Sequence, residues 1–157
     1  IYTFLHPEYD PRDAGWQTYQ SKVTIGSGGL RGKGFCRGTQ TYLRYLPEHH
    51  NDFIFSLLAE EGGFVAGVAL LVLFLLLFWR GLAFAKDCPE LSGALLATGA
   101  VTILGFHVCI NIAITVGLLP VTGIPLPFLS YGGSFYLTTM MCVGVMLNVP
   151  IRSTMFD

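Results

Sequence analysis

Charge is what this sequence has least of. Only 12% of its 157 residues are Asp, Glu, Lys or Arg, about half the share found in soluble domains, and between Glu90 and Arg152 there is none. A surface facing water needs more charge than that; a surface facing lipid does not. The chain also lacks a CxxC pair. Cys36, Cys88, Cys109 and Cys142 stand apart, which speaks against a zinc site, and Cys109 and Cys142, set in apolar runs, read as small packing residues. Neither sign of charge is in excess, the net being −1, so nothing points to a nucleic-acid partner. Internal repeats and low-complexity tracts are missing as well. Residues Ile1–Pro11 are neither basic nor followed by a short apolar core with a cleavage site, so they do not read as a signal peptide. With no initiator Met, the sequence reads as a piece of a longer polypeptide.

What is present is apolar. Hydrophobic residues make up 52%, and the mean hydropathy is +0.58. The expected fold class is an all-α integral membrane protein: a polytopic helical bundle segment with three transmembrane helices after a large extramembrane loop. Residues 1–52 form that loop, broken by Gly15, Gly26, Gly28, Gly29, Gly32, Gly34 and Gly38 and by Pro7, Pro11 and Pro47, with a short helix predicted over Gly15–Ile25. Residues 53–157 form the membrane region. Its first span covers 53–80, where Gly62–Trp79 is free of charge and close to the length of about 20 residues that crosses a bilayer. Trp79 suits an interfacial belt. The second span covers 91–118 and the third 134–150, ending at Pro150. Between them, 119–133 holds Pro120, Pro125 and Pro127 with Gly123, Gly132 and Gly133. Such a stretch is no regular helix and reads as a re-entrant or membrane-surface loop, which must be covered by protein or line a cavity.

Arg80 and Lys86 in the connection between spans one and two, with Arg152 after span three, place those parts in the cytoplasm by the positive-inside rule. Residues 1–52 and 119–133 then lie outside. Six cations in the first segment, Arg12, Lys22, Arg31, Lys33, Arg37 and Arg44, count the other way. Either upstream helices override the rule, or those cations serve an anion outside the membrane.

Several clusters carry chemistry. The run Ile25–Gly34 departs from a phosphate-binding P-loop, since Ser27 stands where the first Gly belongs and Gly34 where Ser or Thr belongs. It reads either as a tight loop or as an anion site in which backbone N–H groups join Arg31, Lys33 and Arg37. His49, His50 and Asp52 read more as surface residues before a helix than as metal ligands. Asn51 or Asp52 suits a helix N-cap, and a carboxylate at that junction can also take a proton beside a bilayer-bound substrate. Glu60 and Glu61 sit two turns into the first span, where charge is costly unless it faces a bundle interior or polar cavity; the other reading is that they mark the interface. His107 and Asn111, four apart on one helix face, read as interhelical hydrogen-bonders.

Two long blocks resemble one family. Gln20-Ser21-Lys22, Gly26 through Gly34, Gly38-Thr39-Gln40, Leu46-Pro47-Glu48 with His50, Asp52-Phe53-Ile54-Phe55 and Ala59-Glu60-Glu61 are similar to the large extracytoplasmic loop and following helix of the SEDS family (RodA, FtsW, SpoVE). Gly117 through Ser134 resembles that family's signature before its last helix. Gly38-Thr39-Gln40 ahead of Leu46-Pro47-Glu48 is closer to the elongation members, typified by RodA. Asn51, Gly62 and Phe135 depart from the usual Thr, larger residue and small residue. Family members are longer, with more spans.

The resemblance implies a peptidoglycan glycosyltransferase of the bacterial plasma membrane. Such an enzyme polymerises lipid II, a disaccharide-pentapeptide on undecaprenyl pyrophosphate, during cell elongation. It implies a class B penicillin-binding protein and elongation-complex membrane proteins as partners. Asp52 is then the catalytic base on the acceptor hydroxyl. Lys22, Arg31, Lys33, Arg37, His50, Glu60, Glu61 and Ser130 are candidate substrate-binding residues. The resemblance fixes no cofactor and leaves a divalent cation open. Two other functions fit the same spans: a lipid II flippase, and a non-catalytic scaffold that recruits a transpeptidase.

Overall fold

The computed structural model describes residues 14–34 and 53–155. Every regular element among them is a helix: α1 (Ala14–Ser27), α2 (Ile54–Lys86), α3 (Leu91–Val116) and α4 (Gly133–Met155). The last three are long and apolar enough to cross a membrane.

α2 runs further than the charge pattern predicts. That pattern closes the span near residue 80 and puts Arg80 and Lys86 in a loop, yet both lie on the helix. Nothing after Trp79 breaks a helix until Cys88-Pro89, because the residue before proline is pushed out of the helical region. At 33 residues, α2 is about 50 Å long, well beyond the ~30 Å hydrocarbon core. The Arg80 guanidinium lies 5.1 Å from the centre of the Phe84 ring, a cation–π contact within one helix. The connection to α3 shrinks to residues 87–90.

α3 ends at Gly117, whose φ of 77° is left-handed. Its N–H bonds the carbonyls of Ala113 and Ile114, and the Leu118 N–H bonds Ala113 O at 2.7 Å. This glycine stop satisfies carbonyls that the helix end leaves open. α4 continues past its predicted end, with Pro150 inside it. A proline forfeits one hydrogen bond, and a membrane helix tolerates that where neighbouring groups re-satisfy the backbone.

α2, α3 and α4 pack on one another through two clusters, and a third joins α2 and α3 to α1 and the proline-glycine loop. Ala85, Ala97 and Val149 meet at one end. Ala100, Val101, Leu104 and Met146 meet in the middle. Phe55, Phe74, Val108 and Leu126 meet at the other end, with Ile25 of α1 and Leu129 against them. Small residues let the helices approach: a Cβ on Gly81 would overlap Met146 Cε and Val101 Cγ2. Large apolar side chains such as Val72, Leu73, Leu75, Leu76 and Trp79 point outward, as lipid-facing residues do. The proline-glycine segment folds against the bundle, with Leu126 fully buried and Phe128 stacked obliquely on Phe74.

Candidate functional site

α1 is built inside out for a helix in water. Gln20, Ser21 and Thr24 face inward and are buried, while Trp16, Tyr19 and Val23 are exposed. The inward polar face docks by hydroxyl bonds. Ser21 Oγ donates to Thr115 O at 2.7 Å. A hydroxyl has one proton, so Ser56 Oγ is the donor in its 2.6 Å bond to Ser21 Oγ. Ser21, Ser56 and Thr115 are all fully buried. One serine thereby ties α1 to the start of α2 and the end of α3.

Beyond α1, the chain crosses a break in α2. Gly63 has φ 70° and ψ −167°, a region that in practice only glycine occupies. The interruption frees backbone groups on both sides, and the loop after α1 satisfies them. The N–H groups of Lys33 and Gly34 donate to Glu60 O and Glu61 O, each at 3.0 Å. On the far side, the N–H groups of Phe64 and Val65 donate to Gly29 O and Leu30 O at 2.9 and 3.3 Å. The loop is a splint across the break. It lies so close that a Cβ on Gly28 would overlap Ala59 O, and one on Gly32 would overlap Glu61 O.

The splint also carries the counterion of the buried acid. Glu60 has no exposure, and Lys33 Nζ reaches its Oε1 at 2.8 Å with its own side chain 28% exposed. Lys33 Nζ also donates to Ser27 Oγ at 2.9 Å, and Ser27 Oγ donates to Thr24 O at 2.8 Å. Glu60 therefore faces the protein interior, and Lys33, read from sequence as a substrate cation, has its ammonium on Glu60. The N–H groups of Gly28, Gly29, Gly32, Lys33 and Gly34 are all engaged within the protein, which agrees with the tight-loop reading of Ile25–Gly34 and leaves those groups out of an anion site.

The other candidates spread out. Arg31 is exposed on the splint and Glu61 half-buried beside the break. Lys22 is exposed, and its side chain lies over Gly117, at the carbonyl end of α3, where a cation is favoured. Ser130 is buried, its Oγ accepting from Leu126 N at 2.7 Å, so it closes a turn in its own loop. Asn111 Nδ2 donates to Ile124 O at 2.8 Å, a bond from the helix to the loop after it. His107 stacks on Phe135 with ring centres 4.9 Å apart. Asp52, His50, Arg37, Arg44 and Asn51 lie outside the described residues, as does His49. Among the described residues no three His, Cys, Asp or Glu side chains gather to hold a metal. Sequence reasoning missed the seam of Ser21, Thr24, Ser56 and Thr115. Its one available signal was the spacing of Gln20, Ser21 and Thr24 on one face of α1.

Residues 1–154 match the family described as cell cycle protein, FtsW/RodA/SpoVE. The chain belongs to this family. The peptidoglycan glycosyltransferase RodA of Treponema pallidum is 46% identical over 149 residues, which is 95% of this chain and 34% of that protein. Stage V sporulation protein E of Bacillus subtilis is 47% identical over 149 residues, 95% of this chain and 40% of that protein. A solved peptidoglycan synthase complex, described as coordinating polymerization and crosslinking, superposes with a TM-score of 0.78 at 38% identity, over 96% of this chain and 40% of that one. The chain thus spans well under half the length of the FtsW/RodA/SpoVE proteins it matches. The two curated relatives are equally similar, so overall identity does not separate the elongation branch of the family from the sporulation branch.

Proposed function

We propose that this chain is part of a peptidoglycan glycosyltransferase that polymerises lipid II in the bacterial plasma membrane during cell elongation. The observation that carries the reading is the family match over residues 1–154, with relatives named for that activity. The residue types suit the reaction. Transfer of a sugar from pyrophosphate needs a base on the acceptor hydroxyl, and cations for the departing diphosphate. The leaving group is already a weak base, so a second carboxylate acting as general acid is not required, unlike the pair in glycoside hydrolases.

Asp52 is the base in this proposal. It stands two positions before Ile54, where α2 begins. Arg31 and Lys22, both exposed, together with Arg37 and His50, are the groups offered to the diphosphate and sugar. Glu60, Glu61, Lys33 and Ser130 support the site rather than reach into it. Residues 1–52 and 119–133 lie on the outer side and the end of α4 in the cytoplasm. In this reading the exposed cations Lys22 and Arg31, with Arg37, serve the lipid-linked anion, which is the second of the two explanations for the charge count. A class B penicillin-binding protein is the partner, supported by the similar solved complex that couples polymerization to crosslinking.

The test is Asp52→Ala in the full-length protein with labelled lipid II. Polymer should disappear while membrane insertion and lipid II binding persist. Undiminished polymer removes Asp52 from the reaction. Transport of lipid II across vesicles without any polymer from the unaltered protein makes it a flippase instead.

A further inference from the structure

A helix break and a buried ion pair meet at one place, and neither is needed for the chemistry just described. We infer that Lys33 and Glu60 form a lock that sets the pose of the helical segment 54–62, and that both are positioning residues for the carboxylate of Asp52. The part about Asp52 rests on the glycosyltransferase reading; the lock does not.

The segment between Ile54 and the break at Gly63 is too short to hold its own shape, since isolated helices below about 12 residues are marginal. It is not carried by the rest of α2 either, because Gly63 leaves the helical region and interrupts the ladder. Its direction comes from the Ser56–Ser21 bond and the packing of Phe55 near its start and from the splint at its other end. Two backbone bonds hold the splint to the segment through Glu60 O and Glu61 O, and two hold it to the remainder of α2 through Phe64 N and Val65 N. The ion pair adds a side-chain tie on the segment's side only, with Lys33 Nζ on Glu60 Oε1 at 2.8 Å. Lys33 bonds Ser27 Oγ as well. Ser27 ends α1, which Ser21 anchors to Thr115 of α3. The lock therefore connects segment 54–62 to α1 and, through it, to a transmembrane helix.

Glu60 follows Asp52 by eight positions in the sequence, and the helix begins between them at Ile54. A tilt of the short segment about Gly63 moves its first residues furthest, against the hold of Phe55 and Ser56, and Asp52 precedes those residues in the sequence. An error of about 1 Å in a reacting group can cost on the order of a hundredfold in rate. A direct ligand of the substrate would act on binding, whereas a lock acts on the geometry of the reacting step.

The experiment uses the full-length protein in detergent, with native cysteines replaced and spin labels at Leu58→Cys and Val72→Cys. In a continuous helix the two backbone positions are about 21 Å apart. Unaltered at positions 33 and 60, the protein should give one narrow distance distribution. Glu60→Gln and Lys33→Met should broaden it, and the exchanged pair Lys33→Glu with Glu60→Lys should narrow it again. On lipid II, Glu60→Gln should lower kcat by about tenfold or more while KM moves less than about twofold, measured where thermal unfolding shows the variant folded. The exchanged pair should recover part of kcat. Unchanged distance distributions in both single variants overturn the lock. An unchanged kcat with a raised KM overturns the positioning role and returns Lys33 to substrate binding. If the unaltered protein makes no polymer, the glycosyltransferase reading fails, and the distance distributions alone decide the lock.

Discussion

The two ends of α2 are held by different means. Near Gly63 polar contacts are added to the apolar cluster around Phe55: four backbone N–H···O bonds to the splint, a hydroxyl relay through Ser56 and Ser21, and the ion pair of Lys33 with the buried Glu60. Near Gly81 and Ala85 the contacts are apolar, with Met146, Val101, Ala97 and Val149 around small residues. Hydrogen bonds fix distance and direction, while dispersion contacts tolerate small shifts. The polar end therefore has a single acceptable geometry, and the apolar end has latitude. The pairing of Lys33 with Glu60 lies at the polar end.

The same substitution at both ends tests this contrast most sharply. Gly63→Ala forces a side chain into a glycine-only backbone region, where its Cβ would overlap Gly32 N. Backbone cannot step aside, so the expected loss is about 3 kcal/mol or more, read as thermal unfolding in detergent or as collapse of folded yield. Ser21→Ala comes next. It leaves Thr115 O and the Ser56 hydroxyl without their buried partner, for an expected loss of about 1–3 kcal/mol; Ser56→Ala should cost less, because Ser21 keeps its bond to Thr115. Gly81→Ala should cost less than Gly63→Ala, about 1–3 kcal/mol. Its new methyl group meets the Met146 Cε end and Val101 Cγ2, and an unbranched methionine can move. If Gly81→Ala destabilised as much as Gly63→Ala, the distinction between the ends would be lost.

Much of the architecture is legible in the amino-acid order. The gap in charge from Glu90 to Arg152 marks two spans, and the Leu-rich run leading up to Trp79 marks the first. Composition settles this because every residue of a span meets lipid or another helix. The ends of helices are less legible. Arg80 and Lys86 look like loop residues, and Pro150 looks like a stop, but both stretches stay helical. A charge at the interface and a proline late in a helix are compatible with helix as well as with its end.

The candidate site is legible as residue types and not as geometry. Glu60 stands out as an acid in an apolar run, yet its partner lies 27 positions away in a loop. Ser21 and Thr115 are 94 positions apart, and nothing local to either announces the bond. Gly63 looks like an ordinary glycine in a span, since the need for a positive φ arises only when the splint arrives to pair with the exposed backbone.

Local composition and spacing determined that this chain crosses a membrane and roughly where it does so, because hydrophobicity is a property of contiguous residues; the family came from the resemblance of two motif blocks, which the match over residues 1–154 bears out. Which acid meets which cation, which hydroxyl donates, and where α2 breaks were decided only by the tertiary structure. Those depend on distances between segments that the chain brings together late, and a buried polar group has no stable state until its partner is there.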